Sequence, residues 1–147
     1  MGNRLGLNAV LYRNTATYAT PTWSEITNAR DVTLNLESGE ADASRRGGGG
    51  WEEILKALKS GSIEFELLYD NADAEFTAIR DAFFNDAPLD MLALDGDVAT
   101  SGNQGLRMVC QVLNFSRNEP LTDALTVNVS VKPTPNADSP PVWFTAP

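Results

Sequence analysis

Twenty Asp and Glu residues, a single Cys and no His set the chemistry open to this chain of 147 residues. Carboxylates at close spacing, such as Asp70 with Asp73 or Asp95 with Asp97 near Asp90, are the raw material of acid–base catalysis or of a calcium site. A hard cation wants several oxygen ligands at once, and the run DGDVATSGNQG lacks the late Glu with which an EF-hand loop completes its shell. It reads as a turn. Acid–base work by a carboxylate pair needs an environment that splits the two pKa values, and helix capping and turn formation account for these pairs without one. The zinc sets, thiol–histidine pairs and serine–histidine triads that use imidazole are not available within one chain. Cys110 falls in the alternation Leu106, Met108, Cys110, Val112, where a thiol packs like a small apolar residue. No catalytic residue, metal ligand or cofactor site is expected.

The other charged pattern lies in residues 38–50, SGEADASRRGGGG, where Glu40 and Asp42 precede Arg45, Arg46 and the run Gly47, Gly48, Gly49, Gly50, followed by Trp51. This is too long for a hairpin turn. Structureless loops of such length inside compact domains are usually functional or disordered. Exposed charges of both signs suit pairing with another subunit. The alternative is a solvated loop, since isolated surface pairs contribute only about 0–1 kcal/mol. Arg45-Arg46 is too short a basic run for a nucleic-acid patch.

The elements that must carry this arm follow from periodicity. Ala9 and Leu11 continue the parity of Leu5 and Leu7, an N-terminal strand, and Trp23 and Ile26 anchor the connection after it. Val32, Leu34 and Leu36 alternate with polar residues in a half-buried strand over residues 29–37, with residues 62–69 as its partner. Residues 51–59 are read as a strand or twisted extension that Lys59-Ser60-Gly61 turns into the next one. Residues 71–86 form a helix with Phe76, Ile79 and Phe83 on its inner face, capped by Asn71 or Asp70 and stopped before Pro88. A short strand over 89–94 follows, then the 95–105 loop. Residues 106–116 are apolar on both parities and read as the central strand, covered on both faces; residues 125–132 are a strand alternating between Val and polar residues. Five of the eight prolines lie from Pro133 onward, so residues 134–147 read as an extended tail through which no ladder runs, with Val142, Trp143 and Phe144 docking on this subunit or a neighbour.

Length and composition fit one domain, residues 1–133, with the tail beyond it. The formal charge of −9 removes the electrostatic drive for nucleic-acid binding. No apolar run is long enough to span a membrane, and the N-terminus has no signal-peptide pattern, so a cytosolic origin is expected. Asn114-Phe-Ser116 and Asn128-Val-Ser130 match a glycosylation pattern but fall in strands.

Taken in order, these elements and the segments TWSEITNARDVTLNLESGEADASRR, KSGSIEFELLYDN, DAEFTAIRDAFFND and LTDALTVNVSVKP resemble the tail tube proteins of long-tailed bacteriophages, to which the type VI secretion tube fold is related. The resemblance covers roughly residues 1–133. It implies a mainly β fold, a β-sandwich or flattened barrel with one flanking helix, whose long loop crosses to an adjacent subunit or ring. Six subunits would form a ring and rings would stack into a tube in the virion tail, with tail tip, tape measure and terminator proteins as partners. DNA would pass through the lumen without specific binding. Glu64 and Glu66 share one strand parity, a face that lines either the lumen or solvent. The alternative is a non-catalytic β-sandwich binding module, a virion decoration or carbohydrate-recognition domain with the Gly-rich arm as its recognition loop.

Overall fold

Strands built on a two-residue alternation assemble here into one antiparallel sheet. The computed structural model describes residues 9–119, 121, 122, 124–134 and 140–147; the expected strand at Leu5 and Leu7 lies outside them. The elements are β1 Val10–Asn14, β2 Trp23–Glu25, β3 Ala29–Asp42, β4 Ile54–Leu68, α1 Ala74–Phe84, β5 Leu89–Leu94, β6 Gln104–Asn118, β7 Thr126–Pro133 and β8 Val142–Thr145. Across the sheet the order is β2-β1-β5-β6-β7-β4-β3, and β8 pairs with the start of β6. The mainly β architecture with one α-helix is as expected, but the strands of the described residues form a single eight-stranded sheet that does not close into a barrel.

One face of the sheet carries the main core. Ile63, Phe65 and Leu67 of β4, Val127, Val129 and Val131 of β7, and Leu106, Met108, Cys110 and Val112 of β6 are buried together. Cys110 is wholly buried and its thiol meets the Leu89 carbonyl; desolvation pushes its pKa far up, so it is a packing residue. Helix α1 lies on this face with Phe76, Ile79 and Ala82 turned inward. The Phe115 ring stacks against Phe83 and meets Phe76 at a tilt, and Tyr69 meets the Phe76 edge. The helix begins later than expected. Asp73 is the cap, accepting from Glu75 N–H, because the Asp70 carboxylate is already engaged by Ala72 N–H.

A bulge explains the double apolar parity of β6. Val112 pairs with Val131 and Asn114 with Ser130, so Leu113 is the extra residue. Beyond it the parity switches. Phe115 therefore continues the core face that Val112 left, and the strand is covered on both faces only before the bulge, not throughout. That cover consists of Tyr12, Leu92 and Leu94, with Val10, Trp23, Val98 and Phe144 packed on them. Within it Arg107 is buried: it donates to Asp90 at 2.7 Å and to the Tyr18 carbonyl, and its guanidinium lies 3.8 Å from the Tyr18 ring centre. Asp90 also accepts from Asn14. The 95–105 loop is a turn: Asp95 accepts from Gln104 N–H, Asp97 from Ala99 N–H, and Tyr12 oxygen from Val98 N–H.

Two further expectations change. Lys59-Ser60-Gly61 is not a turn: Ser38 pairs with Lys59, Glu37 with Ser60 and Leu36 with Gly61 in an unbroken ladder. The tail is not free of ladder pairing either. Between Pro141 and Pro147 the chain has N–H groups to give, and Gln104 to Arg107 pair with Thr145 to Val142. Phe144 packs on this subunit against Trp23, whereas Val142 and Trp143 keep exposed surface.

Replacing Arg107 by Met would leave the Asp90 charge buried and unpaired, an effect of about 3–5 kcal/mol. Urea unfolding should show the double variant Arg107→Met/Asp90→Leu to be less destabilised than the single one.

Candidate assembly surface

The arm is a β-hairpin. Strands β3 and β4 stay paired out to Asp42 opposite Ile54, and the Ala43 N–H to Glu53 carbonyl bond adds one more rung. Residues 38–42, expected in a loop, are strand, so the loop itself is short. Ser44 tightens it by donating its N–H to Asp42 and accepting from Glu53 N–H. The tip is a single 3-10 turn, Arg46–Gly48, closed by Gly49 at φ 69° and Gly50 at φ 87°. That left-handed backbone is what the glycine run supplies.

The charged residues of the arm divide by partner. Glu40 sits opposite Lys56 in the ladder. Arg45 lies 3.5 Å from Glu53. The Asp42 carboxyl is held below its usual range by hydrogen bonding from Ser44. Arg46 is exposed in the tip turn, and Trp51, whose backbone N–H donates to the Gly48 carbonyl, is 80% exposed.

The sequence patterns around the arm did not reveal how much apolar surface it leaves open. Val32, Leu36, Ile54, Leu55 and Leu58 are all exposed, with Leu58 at 89%. Of β3, Ala29 at its start and Leu34 pack against the core. The expected half-buried strand is therefore mostly uncovered, because β3 is the last strand of the sheet and much of its length runs beyond the core. A groove of about 650 Å³ opens where the hairpin root meets the C-terminal segment, lined by Leu36, Leu106, Met108, Pro133, Val142 and Trp143, with Lys56 and Lys59.

Glu64 and Glu66 lie on the face away from the core. Thr33, Glu64, Ser130 and Asn114 form one cross-strand row; Arg30, Glu66, Asn128 and Ser116 form the next. Arg30 reaches Glu66 at 2.7 Å, and Glu64 is exposed. No cluster of metal-ligating side chains occurs among the described residues.

At the tip, an L-residue at Gly49 or Gly50 meets a left-handed backbone that costs about 1–2 kcal/mol. Gly49→Ala/Gly50→Ala should speed amide exchange at Ala43 and Trp51 while leaving exchange in β7 unchanged. Because the folded Asp42 pKa is lowered, its contribution is present above the ordinary aspartate range and lost as pH falls through the lowered value. Exchange at Ser44 should accelerate over that acidic window.

No protein-family model matches the chain, and no curated protein sequence does. Solved structures do. A subunit from the tail of an empty gene transfer agent particle, refined with C6 symmetry, superposes with a TM-score of 0.72 at 14% identity, over 97% of this chain and 98% of that one. The SPP1 tail tube protein gives 0.68 at 14% identity, over 88% and 75%. A chain of the anti-feeding prophage baseplate gives 0.57 at 8% identity, over 92% and 90%. The chain has the tail tube fold over most of its length.

Proposed function

We propose that this chain is a structural subunit of a phage or phage-like tail tube, six copies forming a ring and rings stacking around a channel for DNA. The observation that carries this is a tail tube fold whose hairpin holds its apolar side chains out to solvent, where no described residue of the subunit covers them. Exposed apolar patches rimmed by polar residues mark interaction surfaces. Glu40, Asp42, Arg45, Arg46, the 47–50 glycines and Trp51 are the contact residues of the arm. The polar rows containing Glu64 and Glu66 are the candidate channel lining. A net charge of −9 suits that role, because a basic wall would bind phosphates by counterion release and retain the DNA. The subunit needs no cofactor and performs no chemistry. Its partners are other copies of itself and the tail tip, tape measure and terminator proteins, and its place is the virion tail after synthesis in the host cytoplasm.

Negative-stain microscopy of the purified chain should show rings or tubes. Replacing residues 44–52 by Asn-Gly closes the hairpin with a two-residue turn and should leave the melting temperature within a few degrees, while tube growth is lost. A shortened protein that polymerises as readily as the parent would refute the role of the arm, and a strictly monomeric parent would refute the tube.

A further inference from the structure

The apolar groove at the hairpin root and the tip of the hairpin have complementary features. The groove is lined by apolar Leu36, Leu106, Met108, Val142 and Trp143, with Lys56, Lys59 and Glu37 also among its lining residues. Neither lysine is in an ion pair among the described residues. The tip presents an exposed indole, Trp51, next to exposed Glu52 in sequence. Trp is among the side chains enriched as binding anchors in well-packed, desolvated pockets, and about 650 Å³ is ample for an indole.

Trp51 does not line the groove of its own subunit. The ladder continues from Glu37 opposite Ser60, through a bulge between the Ser38 and Glu40 pairings, to Asp42 opposite Ile54, so the tip lies beyond Lys56, the outermost groove residue of β4, by about 15 Å at roughly 3.3 Å per residue. We propose that the Trp51 tip of one subunit seats in the Leu36, Met108 and Trp143 groove of a second copy, with Glu52 against Lys56 and Lys59. This rests on the assembly reading above and names the acceptor of the arm. The contact is heterologous: tip and groove are different patches, so each subunit offers one and receives one. Such contacts propagate into rings or open stacks. It also gives the C-terminal segment a task, since Val142 and Trp143 complete the wall of the groove.

The test is a charge reversal with rescue, joined to a cross-link. Lys56→Glu/Lys59→Glu should raise the concentration needed for assembly about tenfold or more, the scale of losing a binding hot spot. Adding Glu52→Lys should recover most of that. In the otherwise intact chain, Gly47→Cys with Ser60→Cys should give intersubunit disulfides on mild oxidation; Cys110, wholly buried, does not compete. Tubes that form without this cross-link, or that cross-link instead through Phe84→Cys with Ser60→Cys, overturn the proposal and leave the tube reading standing. Cross-linked head-to-tail oligomers with no tube support the docking and refute the tube. A chain that neither assembles nor cross-links at high concentration refutes both.

Discussion

The dominant constraint is that β4 is longer than the core it serves. Its fifteen residues extend about 50 Å at roughly 3.3 Å per residue, yet the core face uses only Ile63, Phe65 and Leu67. Backbone hydrogen bonds to β3 keep the excess length in a ladder, which satisfies the N–H and C=O groups there but buries few side chains. Ile54, Leu55 and Leu58 are therefore left in water by geometry. Removing them from water releases about 25 cal/mol per Å² of apolar area, and another protein surface is what can provide that. The hairpin is stable as backbone and incomplete as a packed surface.

Two irregularities let the rest of the sheet work with one buried face. Asp31, at φ 54°, sits between the Arg30 and Thr33 pairings of β3, and Leu113 is the bulged residue of β6. Each places two residues opposite one and so changes which parity faces the core. The Leu113 bulge carries the aromatic platform of Phe115 to the helix side and sends Asn114 and Ser116 outward, where they extend the polar rows through Glu64 and Glu66. The extension of this polar face onto β6 thus depends on one inserted residue, and its alignment along β3 on the irregularity at Asp31.

At the other end of the sheet both faces are covered, and the buried ion pair between Arg107 and Asp90 lies there. Its charges are affordable because Asn14, the Tyr18 carbonyl and two aromatic rings complete their surroundings. Arg13 with Glu75 plays a similar part between β1 and α1, and Ser24 donates to the same carboxylate. These links join the segment before the hairpin to the helix and to β6, which fixes the root from which the hairpin projects. Fold and candidate surface are coupled through that root: β8 closes one side of the groove by pairing with β6, and β3 with β4 closes the other.

Periodicity was enough to read local order. The valines of β7, the inward face of α1, the packing role of Cys110 and the pairing of β3 with residues 62–69 are all legible from which residues alternate or recur, since burial of one face imposes that pattern directly. The absence of His and the scarcity of Cys bounded the chemistry without any structure. What the sequence could not show is where a register continues or breaks. Lys59-Ser60-Gly61 has turn chemistry but lies within a ladder, because cross-strand partners outside any local window hold it extended. Apolar residues on both parities of β6 read as two covered faces, although a bulge produces the same pattern. Arg107 gave no signal as a buried residue, since its partners Asp90, Tyr18 and Trp23 come from distant segments. The sequence by itself determined most of the strands, though not β8 or the outer part of β3, together with the helix and the presence of an arm. Only tertiary structure decided that the arm is a paired hairpin with a groove at its root, because pairing between distant segments sets both its length and its unburied surface.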